Sequence, residues 1–132
     1  MSVVDLSPLS PLSPQPRETE LPDPPFPFLG PDCALNAFYR RYVSAEGTLG
    51  ESHVTFWTLE EIAEDPYEIA QRFDEPVVTF GSNGGGELFA AVPRNGVAEF
   101  LLVPCIGDKE DSLRLGSWDD FVHKLAAGEI FQ

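Results

Sequence analysis

Positive charge is what this chain has least of. Against 22 Asp and Glu stand 8 Lys and Arg, a formal net charge of -14 over 132 residues. Nucleic acid and anionic membrane are bound through clustered cations, so such a balance argues against both as partners. It suits a basic protein partner, whose encounter it would speed. Cysteine is also scarce. Cys33 and Cys105 stand alone, with no CxxC or Cys/His spacing, so a zinc site is not expected and two buried free thiols are. Apolar runs are short, none near the roughly 20 residues of a membrane helix. The N-terminus lacks a positive segment followed by an apolar core, the pattern of a signal peptide. A cytoplasmic location is the expectation. Catalytic signatures are missing too. His53 and His123 have no nucleophile motif beside them, and no HExxH, P-loop or paired-carboxylate pattern occurs. The expectation is a protein that is not an enzyme and needs no cofactor or metal.

Proline is abundant but unevenly placed. Nine of the 13 prolines fall within Met1 to Pro31. Proline at that density blocks helix and sheet hydrogen bonding. Residues 1–30 therefore read as a proline-rich, flexible arm, with Phe26, Phe28 and Leu29 packing where it enters the domain. Residues 31–132 read as one folded domain, long enough for a single hydrophobic core.

Periodicity orders that domain. Leu35, Phe38, Tyr39, Tyr42 and Val43 recur at helical spacing, which predicts a helix over Asp32–Val43 with Asn36, Arg40 and Arg41 on its polar face. "EGTLG" then predicts a helix stop and a turn. "HVTFW" alternates as a strand does. Thr58 and Glu61 make a capping box for a helix carrying Leu59 and Ile62. Asp65, Pro66 and Glu68 predict a second short helical piece, ending near Phe73. Strands follow at Pro76–Phe80, Glu87–Val92 and Val97–Val103, the last two joined by the Asn-Gly of a tight hairpin. Ser112–Leu115 is a further short strand. Ser117 then caps a helix bearing Trp118, Phe121, Val122, Leu125 and Ala126, which Gly128 stops. Trp57 and Trp118 lie on apolar faces and are core residues. The fold class is α+β: an antiparallel curved sheet of about four to six strands with helices packed against it.

The stretch "VVTFGSNGGGELFAAV" contains Gly84, Gly85 and Gly86. A phosphate loop would need a following Lys and a helix. Glu87 and an alternating strand follow instead, so the glycines are a structural turn between two strands.

Taken with the segments around it, this stretch resembles the SUKH superfamily. "PVVTFGSNGGGELFAAV", a hydrophobic strand and then "SWDDFVHKLAAG" follow that family's order, and "FWTLEEIAE" is similar to its strand and L-E-E helix. "AFYRRYVSAEG" resembles its opening helix, although "GPDCALN" stands where the family usually has Leu-Pro. The resemblance covers roughly Asp32 to Gly128. It implies a protein-binding module, and many bacterial members are immunity proteins that neutralise toxins, often nucleases. A basic toxin domain is then the expected partner, and an acidic surface the expected site. Asp119 and Asp120 complement a helix dipole and Glu61 serves a cap. Glu60, Glu64, Asp74 and Glu75, with Asp65 beside them, are the candidate partner-facing patch. The alternative is a regulatory adaptor that uses the proline-rich arm as a second contact.

Overall fold

A computed structural model describes residues 13–30, 33–49, 52–65, 68–73, 75–83, 86–94, 97–104 and 112–127. Seven strands form one sheet: β1 Ser13–Pro16, β2 Tyr42–Leu49, β3 Ser52–Phe56, β4 Val78–Ser82, β5 Glu87–Arg94, β6 Val97–Pro104 and β7 Leu113–Gly116. Their spatial order is their chain order, and every neighbouring pair is antiparallel. Three helices join them: α1 Ala34–Arg41, α2 Leu59–Glu64 and α3 Trp118–Ala127. The fold is thus α+β on an antiparallel meander, with more strands than the four to six expected.

β5 and β6 form the middle of the core because they are buried on both faces. Along β5, Phe89 and Ala91 join one apolar cluster, and Leu88, Ala90 and Val92 join another. This is the period-2 alternation of a pleated strand with both sides covered. α1 and α3 cover the first face through Leu35, Phe38, Tyr39, Trp118, Phe121 and Val122. Phe121 sits among Phe56, Phe80, Phe89 and Phe100, with ring centroids 5.3–6.4 Å apart. Trp57 and Ile69 join the second face, with Ile62, Phe73 and Val77 partly buried against it.

The hairpins read from sequence are present. Arg94 pairs with Val97 across the Asn-Gly turn, whose two residues lie outside the described ones. The glycine stretch also joins paired strands: Ser82 pairs with Leu88, and Asn83 N–H donates to the Glu87 carbonyl at 3.2 Å. Gly86 has φ +90°, a conformation glycine adopts without penalty. Gly84 and Gly85 lie outside the described residues. In β4, Gly81 marks a bulge against β5. A Cβ there would stand 2.3 Å from the Thr55 carbonyl, so no other residue fits.

Two expectations about the first helix are corrected. It ends at Arg41, and Tyr42 and Val43 begin β2. "EGTLG" is not a turn up to Leu49; Ala45–Leu49 pairs with Ser52–Phe56. The β3 ladder supplies what weak local strand propensity does not. The polar face of α1 is only partly solvated: Arg41 is exposed and Arg40 half-buried. Asn36 is fully buried, and its side chain grips the chain that precedes the helix. Oδ1 accepts from Phe26 N–H at 2.7 Å, and Nδ2 donates to the Phe26 and Gly30 carbonyls, each at 2.8 Å.

Residues 13–30, placed in the arm by composition, therefore lie along the domain. β1 pairs with β2. Arg17 Nε donates to the Tyr39 carbonyl at 2.8 Å, and the N–H groups of Arg17 and Leu21 donate to the carbonyls of Arg41 and Arg40, each at 2.9 Å. Those are the final carbonyls of α1, which a helix end leaves without intrahelical partners. Phe26 and Leu29 are buried in the first cluster, whereas Phe28 is exposed.

Candidate functional site

The acidic segment begins where β3 gives way to α2. Thr58 Oγ1 accepts from Glu61 N–H at 3.2 Å, and Glu61 Oε1 accepts from Thr58 N–H at 3.1 Å, the reciprocal capping box read from sequence. Glu61 is thereby occupied. Glu60 and Glu64, four residues apart, stand one turn from each other on α2 and are exposed.

Asp65 closes α2 in a left-handed conformation, φ +44°. Its carboxylate accepts from the N–H groups of Ile69 and Ala70, each at 3.0 Å. It starts the second helical piece, a 3-10 turn over Ile69–Arg72. Asp65 is therefore engaged locally. Glu68, also left-handed at φ +54°, is exposed. Pro66 and Asp74 lie outside the described residues. Glu75 is hydrogen-bonded to Arg94 and opens a line of ion pairs across the sheet. Arg94 Nε reaches Glu99 Oε1 at 3.6 Å, and Arg114 Nη2 reaches the same oxygen at 2.9 Å. The Glu75 hydrogen bond raises the Arg94 pKa still further above neutrality, against the opposing effect of burial.

Of the expected patch, then, Glu60 and Glu64 present free carboxylates, while Asp65 and Glu75 have partners. Glu68 adds a third exposed carboxylate that the sequence reading assigned to a helix start. None of Glu60, Glu64 and Glu68 has an ion-pair partner among the described residues.

The cations explain that surplus. Arg17 and Arg40 tie the N-terminal segment to α1, Arg17 through Nε to the Tyr39 carbonyl and Arg40 through Nε to the Leu21 carbonyl at 2.9 Å. Arg72 sits in the acidic segment itself, yet its Nη1 donates to the Pro104 carbonyl at 2.7 Å on β6. Arg94 and Arg114 are in the ion-pair line, and Lys124 reaches the Leu115 carbonyl at 3.5 Å. Arg41 lies over the Tyr42 ring, 5.8 Å from its centroid. Among the described residues most cationic side chains are engaged by carbonyls or carboxylates, while Glu60, Glu64 and Glu68 are left facing solvent.

The two histidines meet a carboxylate and a backbone carbonyl. His53 Nε2 lies 3.9 Å from the Glu46 carboxylate on β2. His123 Nδ1–H donates to the Asp119 carbonyl one turn earlier, at 2.7 Å. Neither hydrogen-bonds a hydroxyl or thiol among the described residues. No three His, Cys, Asp and Glu side chains converge there as a metal ion would require. Cys33 is half-buried at the start of α1, and its Sγ accepts from Asn36 Nδ2 at 3.3 Å. Cys105 lies outside the described residues. No helix among the described residues is long and apolar enough to cross a membrane. Compared with known proteins, the chain matches no family model and no curated sequence.

Proposed function

We propose that this chain is a non-catalytic binding module that docks a basic protein through the acidic surface of α2 and the turn after it. The reading extends to an immunity protein of SUKH type, acting in the cytoplasm, that neutralises a nuclease-type toxin by covering its basic substrate groove. One observation carries it. Among the described residues, Glu60, Glu64 and Glu68 face solvent with no ion-pair partner, while Arg17, Arg40, Arg72, Arg94 and Arg114 turn to carbonyls and carboxylates. Such a surface attracts a cationic partner over several ångströms and speeds its capture.

The test uses the protein captured from a host lysate, or the product of a neighbouring toxin gene, as analyte. Association with the wild-type chain should slow steeply as salt is raised from about 50 to 500 mM, because screening shortens the reach of surface charge. Glu60→Lys with Glu64→Lys should lower the association rate by roughly tenfold and change dissociation less. The wild type should also inhibit the captured protein's toxic activity at a one-to-one ratio. Rates indifferent to both salt and the double reversal would overturn the reading. Deleting residues 1–12 should leave protection intact, whereas an adaptor that uses the arm as a second contact would lose its partner.

A further inference from the structure

The outer edge of β2 and the carbonyl end of α1 meet in one place, and residues 13–21 lie across both. The strand part of this contact is thin. β1 has four residues, all with exposed side chains, so backbone pairing alone holds it. Two of them are proline, which has no N–H to donate. Pro14 faces Ala45, between the Ser13–Glu46 and Gln15–Ser44 pairs, and the register shifts before Pro16. Among the described residues, only Ser13 and Gln15 of this strand bring N–H groups to a partner strand of eight residues. β2 also runs on through Gly47–Leu49, beyond the described end of β1. A segment with exposed backbone bonds and no buried apolar contact opens at the lowest free energy in a fold.

The second part of the contact is specific. After the strand comes one cation, Arg17, whose Nε and N–H meet the Tyr39 and Arg41 carbonyls. The carbonyl end of a helix is the negative pole of its dipole and favours a guanidinium there. Exposed Glu46, opposite Ser13, adds negative charge along the strand edge. The seat therefore has a readable specification: about four extended residues, then an arginine.

We propose that this seat is a docking site for an extended, arginine-bearing segment of a protein partner, and that residues 13–17 fill it in the free chain. The proposal rests on the basic-partner reading above and adds a place and a backbone conformation to it. A competing segment rich in β-branched residues pairs with all of Ser44–Leu49 and supplies its own arginine to α1. Strand addition at a sheet edge draws affinity from main-chain bonds and specificity from the flanking side chains.

The test keeps the full chain. Gln15→Cys with Ser44→Cys, in a Cys33→Ser and Cys105→Ser background, places thiols at paired positions where a disulfide locks β1 onto β2. The probe is a fluorescent peptide, Lys-Val-Thr-Ser-Val-Gln-Val-Arg-Glu-Thr-Glu-Leu. It copies residues 13–21 with both prolines replaced by valine and three residues added in front. Wild type and the reduced variant should bind it, the oxidised variant at least tenfold more weakly, and a peptide with Ala for Arg at least tenfold more weakly to all forms. Amide NMR shifts in the wild type should move over Tyr39–Glu46 as the peptide is added, which decides the matter if the variant does not fold. Equal binding by the locked and unlocked forms, no binding by any form, or shifts confined to other strands would overturn the proposal. So would a covalent dimer on oxidation, since the occupant would then be a second copy. The two readings part cleanly: peptide binding with no effect of the Glu60 and Glu64 reversals on partner capture leaves this site standing and removes the acidic-surface reading, and the converse removes this site alone.

Discussion

Tyr39 is a single hydroxyl closing a gap in the sheet. The β3–β4 ladder is short, with Thr55 opposite Ser82 and Phe56 opposite Gly81. Beyond it the buried Tyr39 hydroxyl donates to the Trp57 carbonyl at 2.7 Å and lies 3.2 Å from the Phe80 carbonyl, which also takes the Trp57 N–H at 2.8 Å. Burial pushes the phenol pKa well above its ordinary range, Glu61 adds to the shift, and Arg17 opposes it. The folded chain thus holds this proton at a pH where the unfolded chain gives it up. Its contribution to stability is complete below about pH 10 and falls as pH rises from there towards the folded value. Tyr39→Phe should flatten that alkaline decline and cost about 1–2 kcal/mol at neutral pH, because the Trp57 carbonyl loses its donor. Urea midpoints of both chains from pH 7 to 11 check this; parallel profiles would contradict it. The Tyr39 side chain was legible as core from helical spacing. Its two carbonyl partners were not, because they lie 18 and 41 residues away.

At the scale of elements, the two ends of α1 and α2 differ in how they are made. The start of α2 is local: Thr58 and Glu61, three residues apart, satisfy each other's N–H groups, and the sequence states this outright. The end of α1 is not local. No glycine closes it, and its last carbonyls are met by Arg17 and Leu21 from the far side of a proline-rich segment. Helical spacing carried the expected helix on to Val43, since Tyr42 and Val43 continue the apolar period. What stops it is the sheet, which draws both into β2, and the Arg17 segment, which takes over the freed carbonyls. Arg17→Ala should destabilise the chain by about 1–2 kcal/mol through the lost charge-assisted bond. Arg17→Lys should recover only part of that, a point charge lacking the planar fork. Chemical-denaturation midpoints of the three chains measure both effects, and an Ala variant as stable as wild type would contradict them. The polar side chains of α1 follow the same logic. Asn36 and Arg40 are polar because they bind the backbone of an irregular segment, which has no ladder of its own to satisfy it.

Across the whole molecule, a charge of -14 acts against the folded state as well as towards a partner. Like charges held on one compact surface repel, and salt screens them. The melting temperature should therefore rise by several degrees between about 10 and 300 mM NaCl, an interval in which the screening length falls severalfold. Scanning calorimetry would read it, and a fall in melting temperature with salt would show that the internal ion pairs outweigh the repulsion. The same charge separates candidate from bystander in the acidic patch. Sequence could place Glu60, Glu64, Asp65 and Glu75 in one region. It could not tell the exposed Glu60 and Glu64 from Asp65, which caps the 3-10 turn, or from Glu75, which holds Arg94.

By itself, the sequence determined whatever depends on neighbours within about one helical turn or one strand pair. That covers the capping box at Thr58, the cap at Ser117, whose Oγ accepts from Asp120 N–H at 3.2 Å, the alternation that buries β5 and β6, the turns that join β4 to β5 and β5 to β6, and the excess of carboxylates. Only the tertiary structure decided that Ser13–Leu29 belongs to the fold, that Glu46–Leu49 is strand, and that Asn36 is core. The first and the last rest on groups meeting partners ten or more residues distant, such as Phe26 with Asn36 and Arg17 with Tyr39, and the second rests on the ladder to Ser52–Thr55. Such pairs leave no period in the chain, because proline and polar residues that look like solvent-facing arm become stable only when another element supplies the hydrogen bonds they cannot make among themselves.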